Sequence, residues 1–440
     1  MTHPPRGLCG RAVAYFAVRD LIPLYAVYAL LFSDNGLSTA EISSLLVIWS
    51  VTAFVLEVPS GAWADAVSRR ALLVFSSLLY AVGFSLWIAV PSYAAFAAGF
   101  VLWGSSGALM SGTFQALLYD ELAACNAAAH YARLMGWANS LAMVATLVGT
   151  ALATPLFTVG GYPLVGWVSV GVALVQALLA LSLPAAPRAV EADDSDLDES
   201  PDMTGGLVSR YVVMLRSGLS EVMRHRLVRR AVLIVSMLGL LAFDEYFPLI
   251  ARENGASTET VPLMVALTVA GPAIGTALAG RTARMGGATM AWALAAAAIL
   301  MAIGTVDGRW LGFVVIATGC GIAANVMIVA EARLQDAITG PARATVTSIS
   351  GLFSEVFALA VFGAFALGSA WFALSTMVVA LSAPILLVAI LVPRSLPSPG
   401  SCATSRMNPP SGPGSSAAHG GFGSEAVHDT AAGTTLPRRR

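Results

Sequence analysis

Asp34-Asn35-Gly36-Leu37-Ser38-Thr39 separates two apolar runs, residues 12–33 and 43–64, and recurs as Glu253-Asn254-Gly255-Ala256-Ser257-Thr258 between runs at 230–251 and 260–280. The offset is 219 residues, and at that offset Gly61 falls on Gly280, each at the far end of the following run. Gly99-Phe100-Val101 recurs as Gly312-Phe313-Val314, and Ala132-Arg133 as Ala342-Arg343. Each match is short, but they share one order and similar offsets, so the chain reads as two related halves.

Working outward, further apolar runs fall at 71–90, 94–118, 134–156 and 162–183 in the first half, and at 287–305, 310–332, 345–368 and 370–392 in the second. With the four above they make twelve spans, numbered 1 to 12 in chain order. A bilayer-crossing helix needs about 20 mostly apolar residues, and these runs meet that length. Composition agrees: 57% of the 440 residues are hydrophobic and 11% charged, against roughly 25% charged in a soluble domain. The fold class expected is therefore all-α membrane protein, twelve transmembrane helices in two pseudo-symmetric six-helix bundles.

Arginine supplies all the basic side chains besides histidine, and its placement orients the bundle. Starting inside, the inward loops and linker hold Arg69, Arg70, Arg133, Arg188, Arg210, Arg216, Arg224, Arg226, Arg229, Arg230, Arg281, Arg284, Arg333 and Arg343, and the outward loops hold Arg252 and Arg309. That bias predicts a multi-pass protein of the cell membrane with both termini cytoplasmic. The first apolar run carries Arg19 and Asp20 and leads straight into the second, so no cleavable signal peptide is expected. The expected domains are a cytoplasmic N-terminus (1–11), a six-helix bundle (12–183), a cytoplasmic linker (184–229), a second bundle (230–393) and a disordered cytoplasmic tail (394–440). In the linker, Glu191 to Glu199 is acidic and solvated. Residues 207–229 alternate apolar side chains with Arg210, Arg216, Arg224 and Arg226, as in a helix on the inner leaflet or one joining the halves through water.

Several partners are set aside by composition. A net charge of −1 gives no field for nucleic acid, and Cys9, Cys125, Cys320 and Cys402 are scattered without metal-ligand spacing. No cofactor is expected. His3, His130, His225, His419 and His428 all lie outside the spans, which argues against an enzyme.

After span 2 comes Gly61-Ala62-Trp63-Ala64-Asp65-Ala66-Val67-Ser68-Arg69-Arg70. This is similar to the Gly-x-x-x-Asp-x-x-x-Arg-Arg signature between helices 2 and 3 of the major facilitator superfamily. With its lead-in Glu57-Val58-Pro59-Ser60 it resembles prokaryotic drug and metabolite exporters. Gly280 to Arg284 is a degenerate second copy in the matching loop of the other half. An anion at a helix C-terminus is disfavoured by the macrodipole, so Asp65 needs a cationic partner: Arg69, or the N-terminus of a neighbouring helix. In the family that neighbour is helix 11, which begins here near Thr345. Arg69 can also reach Asp120. The resemblance makes Gly61, Asp65, Arg69, Arg70 and Asp120 a gate on the inner side; otherwise they are solvated loop charges that set topology.

Ionisable groups at membrane depth are costly and usually functional or paired. They are Arg19 and Asp20 in span 1, Glu57 in span 2, Asp244 and Glu245 in span 7, Glu331 near the end of span 10, and Glu355 midway along span 11. Arg19 and Asp20, adjacent on a helix, are expected to point apart toward separate partners. Asp244 and Glu245 are candidate proton or substrate groups, or an outer-leaflet pair bonded to helix ends. Glu355 and Glu57 either carry protons or brace neighbouring helices. Leu21, Tyr25, Tyr28 and Phe32 share one face of span 1, which lines a cavity or simply packs. Gln115, Tyr119 and Asn325 are further candidates for the cavity wall.

Two departures from the family pattern bear on substrate. Span 4 carries no Arg, and span 5 lacks the Gly-Pro-x-x-Gly-Gly element of drug/proton antiporters; a related string, Gly271-Pro272-Ala273-Ile274-Gly275, sits in span 8 instead. The reading is a monomeric secondary transporter in the lipid bilayer, working by alternating access and exporting a small amphipathic compound on the proton gradient. Uptake or facilitated diffusion of a nutrient is the alternative within the fold, and a non-transporting membrane sensor the alternative outside it.

Overall fold

The structure, a computed structural model, describes residues 6–184, 226–338 and 343–396, with 216, 220 and 222–224 between; the side chains at 6, 58, 61, 62, 64–66 and 343–345 fall outside it as well. The acidic linker, most of the amphipathic stretch and the tail therefore lie outside the described residues. Those described contain helices and no strand.

Seven spans are single continuous helices, Thr39–Ala66 (span 2), Arg69–Ala89 (3), Val261–Thr282 (8), Gly287–Asp307 (9), Trp310–Ala337 (10), Arg343–Gly368 (11) and Leu374–Ser395 (12), and span 4 is one crossing in two pieces, Tyr93–Met110 and Thr113–Ala124. Spans 5 and 6 run together as Tyr131–Leu181, but Gly160 and Gly161 leave helical geometry, Gly161 at φ +58°. Fifty-one helical residues would reach about 76 Å, more than twice a bilayer core of about 30 Å, so the break makes two crossings.

Spans 1 and 7 are broken at the same register. Span 1 is Arg6–Val18, a 3-10 turn Pro23–Ala26, then Tyr28–Asp34. Pro23 has no N–H and steers the preceding residue out of α geometry; Ile22 is extended, at φ −107° and ψ 104°. The Leu24 N–H freed by the break donates to Ser169 Oγ at 3.0 Å. Span 7 is Arg226–Met237, a 3-10 stretch Leu238–Tyr246, and Phe247–Glu253, its first turn starting four residues before the expected 230.

The repeated loop is the same object twice. Asn35 and Asn254 both cap at φ −88° and ψ 14°. Gly36 and Gly255 follow at φ +88° and +86°, the left-handed conformation that closes a helix C-terminus. Leu37 N and Ala256 N then donate back to Phe32 O and Ala251 O, at 3.1 and 3.0 Å. Ser38 and Glu41 start span 2 with a reciprocal capping box.

Span 3 packs on spans 4 and 5–6 in the first half; span 10 packs on spans 8 and 9 in the second. Across the middle, span 2 meets span 11, spans 5–6 meet span 8, and the outer pieces of spans 1 and 7 meet each other. The seam between spans 8 and 10 is backbone on backbone: a Cβ at Gly271 would stand 2.0 Å from Ala317 O, and one at Gly275 1.9 Å from Gly321 O. Small residues allow that approach in lipid. Gly280, by contrast, has nothing within 4 Å of where a Cβ would be.

Candidate functional site

A cavity of about 600 Å³ lies between the halves, walled by spans 1, 5, 7, 8, 9, 10 and 11. The 3-10 stretch of span 7 organises it. Three residues per turn fan consecutive side chains about 120° apart, so Asp244, Glu245 and Tyr246 leave the helix in three directions. Asp244 is exposed to the cavity. Glu245 accepts from the Tyr28 hydroxyl of span 1, on the opposite half. Tyr246 stacks on Phe365 at 3.8 Å and shares a 2.7 Å hydrogen bond with Ser43 of span 2.

Glu355, midway along span 11, also lines the cavity and accepts from Ser50 Oγ of span 2. Two membrane-depth carboxylates are thus each held by a hydroxyl of the other half. Tyr25 and Tyr28 belong to the cavity wall and are backed by an aromatic cluster. Tyr25 stacks on Trp103 at 4.9 Å and 5°, and Tyr28 meets Trp103 and Phe100 edge-on. The cavity wall includes Asp244, Glu245 and Glu355 and no Arg or His.

The structure brings other expected residues elsewhere. Asn325 is buried away from the cavity, accepting from Thr282 Oγ1 at 2.9 Å and donating to Gly275 O at 2.8 Å, so it braces span 8 on span 10. Gln115 and Tyr119 are exposed outside the cavity wall, and Tyr119 packs edge-on against Tyr131. Glu57, also exposed, accepts from Ser111 Oγ at 3.5 Å. Arg19 and Asp20 do not seek separate partners: they pair with each other through two bonds of 3.0 and 2.8 Å. The expectation assumed a continuous helix, whereas the α-helix ends at Val18 and the turn lets neighbouring side chains converge.

At the arginine-rich end, Arg69 pairs with Asp120 and Arg70 donates to Leu183 O at 3.4 Å. Gly61 and Asp65 fall in the last turns of the span 2 helix, and the surroundings of Gly61 and the Asp65 side chain lie outside what the structure describes. At the arginine-poor end stands a cluster that sequence reasoning missed. Arg252 of span 7 pairs with Asp34 of span 1 through bonds of 2.5 and 3.3 Å. Tyr162, at the start of span 6, donates to the same carboxylate at 2.5 Å, and Thr154 Oγ1 donates to Glu259 O at 2.8 Å. The available signal was that Arg252 is one of only two arginines at that end.

A membrane-spanning bundle of two broken-helix halves around a shared cavity defines a class, and comparison with known proteins specifies it. The model of the Major Facilitator Superfamily matches residues 8–354, and the chain belongs to that family. Solved structures share the fold. The nucleoside transporter NupG (D323A mutant) aligns at TM-score 0.66 and 12% identity, over 87% of this chain and 97% of that one. A D-xylose-proton symporter aligns at 0.62 and 15%, over 89% and 97%. The POT family transporter PepTSo aligns at 0.64 and 12%, over 92% and 98%. No curated protein matches the sequence. The chain is thus an all-α membrane transporter of the major facilitator superfamily.

Proposed function

We propose that this protein is a proton-coupled exporter of a small amphipathic compound, working by alternating access as a monomer in the cell membrane. The arginine-rich end would face the cytoplasm, with both termini there. One observation carries the coupling: Glu355 and Glu245 line the cavity, and each accepts a hydrogen bond from the opposite half. Loading either carboxylate with a proton changes what it exchanges with its partner, so proton occupancy and the separation of the halves are linked. The Asp34–Arg252 contact joins the halves at the arginine-poor end; the export direction rests on the exporter-like stretch Gly61 to Arg70 with its lead-in Glu57 to Ser60. The gradient supplies the energy, about 2.3 kcal/mol per charge per 100 mV plus the pH difference, and no bond is broken. A proton entering each cycle needs no other cofactor.

The test is flux in proteoliposomes with an imposed pH gradient, over a panel of amphipathic compounds. Export predicts gradient-driven movement toward the acidic side that a protonophore abolishes. Movement of substrate and protons in one direction would instead make the protein a symporter, and flux indifferent to the protonophore would make it a facilitator.

A further inference from the structure

We propose that the cavity selects an organic cation of single charge with an apolar body, and that Asp244 is its counter-charge. This rests on the transport reading only in taking the cavity as the substrate's seat. Three carboxylates and no cationic side chain line the space. Arg19, the arginine at membrane depth, is paired with Asp20, and Arg252 at the arginine-poor mouth is paired with Asp34. An anionic guest would add negative charge to an acidic, low-dielectric space with nothing to balance it.

The three acids are not equivalent. Glu245 is engaged by Tyr28 and Glu355 by Ser50. Asp244 makes no ion pair and no hydrogen bond to another side chain among the described residues, its carboxylate meeting only the backbone N–H groups of Asp244 and Glu245, and it is exposed to the cavity where Glu245 and Glu355 are half-buried. A carboxylate at membrane depth without a cationic partner is the costly arrangement, and a cation in the cavity relieves it. One open carboxylate matches one positive charge.

The rest of the wall argues for an organic cation over a metal ion. Among the described residues no three His, Cys, Asp or Glu side chains gather closely enough to hold a metal. The wall instead offers Tyr25 and Tyr28, fixed from behind by Trp103, and the thioethers of Met143, Met301 and Met327. Aromatic rings attract cations, and methionines reshape around irregular apolar bodies.

Tetraphenylphosphonium and tetraphenylborate, nearly alike in size and shape and opposite in charge, make the test. Equilibrium binding of each is measured to the purified full-length protein in neutral detergent, with Asp244→Asn and Asp244→Glu beside it and gel filtration confirming that each variant is folded. Expected is saturable phosphonium binding at least tenfold tighter than borate, lost by tenfold or more in Asp244→Asn and largely kept in Asp244→Glu. Equal or tighter borate binding, absent phosphonium binding, or phosphonium binding unmoved by Asp244→Asn would overturn the proposal. Saturable, Asp244-dependent phosphonium binding without flux in liposomes would leave the cation site standing and remove the transport mechanism; proton-linked flux of neutral compounds without phosphonium binding would do the reverse.

Discussion

Breaking the Asp34–Arg252 contact should open the arginine-poor end, and a native thiol can report it. Cys320 lines the cavity, so with Cys9, Cys125 and Cys402 replaced by Ser, a membrane-impermeant maleimide offered from that end reads how often the cavity opens to it. The magnitude follows from geometry. Asp34 and Arg252 are about a third exposed, 35% and 31%, so the ion pair is screened and contributes on the order of 1 kcal/mol. Arg252→Met should therefore raise the labelling rate about fivefold, because about 1.4 kcal/mol is tenfold. Asp34→Ala removes the acceptor of Tyr162 as well; a total of about 2 kcal/mol corresponds to roughly 30-fold. At about 1 M salt, where the screening length falls to roughly 3 Å, the unaltered pair should approach the Arg252→Met rate. The double variant should be less than additive, since both changes remove one bond. Unchanged labelling in both single variants, or strict additivity, would refute the latch.

Three further outcomes are expected. Glu355→Gln should abolish gradient-driven accumulation in proteoliposomes while leaving substrate counterflow, because only the proton site is lost; loss of both, with the protein folded, would move the coupling elsewhere. Gly275→Val should lower thermal stability by the equivalent of about 1–3 kcal/mol, since its Cβ would stand 1.9 Å from Gly321 O, whereas Gly280→Ala should leave the melting temperature unchanged. Arg69→Gln should cost less than about 1 kcal/mol of stability, its partner Asp120 being 48% exposed, yet slow transport; normal flux would reduce the Arg69 signature to a topology signal.

The spans were legible because lipid imposes one strong rule, about 20 apolar residues per crossing, and the duplicated loop was legible because Asn and Gly at its cap have few substitutes. What escaped depends on where the α-helix stops. Periodicity presents span 7 as continuous, but its 3-10 stretch Leu238–Tyr246 rotates Asp244, Glu245 and Tyr246 onto three different neighbours. The same assumption separated Arg19 from Asp20; Pro23, read as a breaker, would have corrected it. Pairs such as Tyr28 with Glu245 and Ser50 with Glu355 join residues 217 and 305 positions apart, and no local pattern encodes them. Asn325 looked like a polar residue in search of a cavity because its actual acceptor, Gly275 O, is a backbone group that sequence does not show.

The two matching loops are alike in shape but not in charge. At the offset that relates them, Arg252 corresponds to Ser33 and Glu253 to Asp34. Glu253 turns inward within its own half, accepting from Leu374 N at 3.4 Å, and Ser33 has no charge to send across. A perfectly doubled molecule would carry two ionic bridges at this mouth; among the described residues one ion pair, Asp34–Arg252, joins the halves there. Divergence at one residue of one copy is enough to turn a balanced ionic clamp into a one-sided catch.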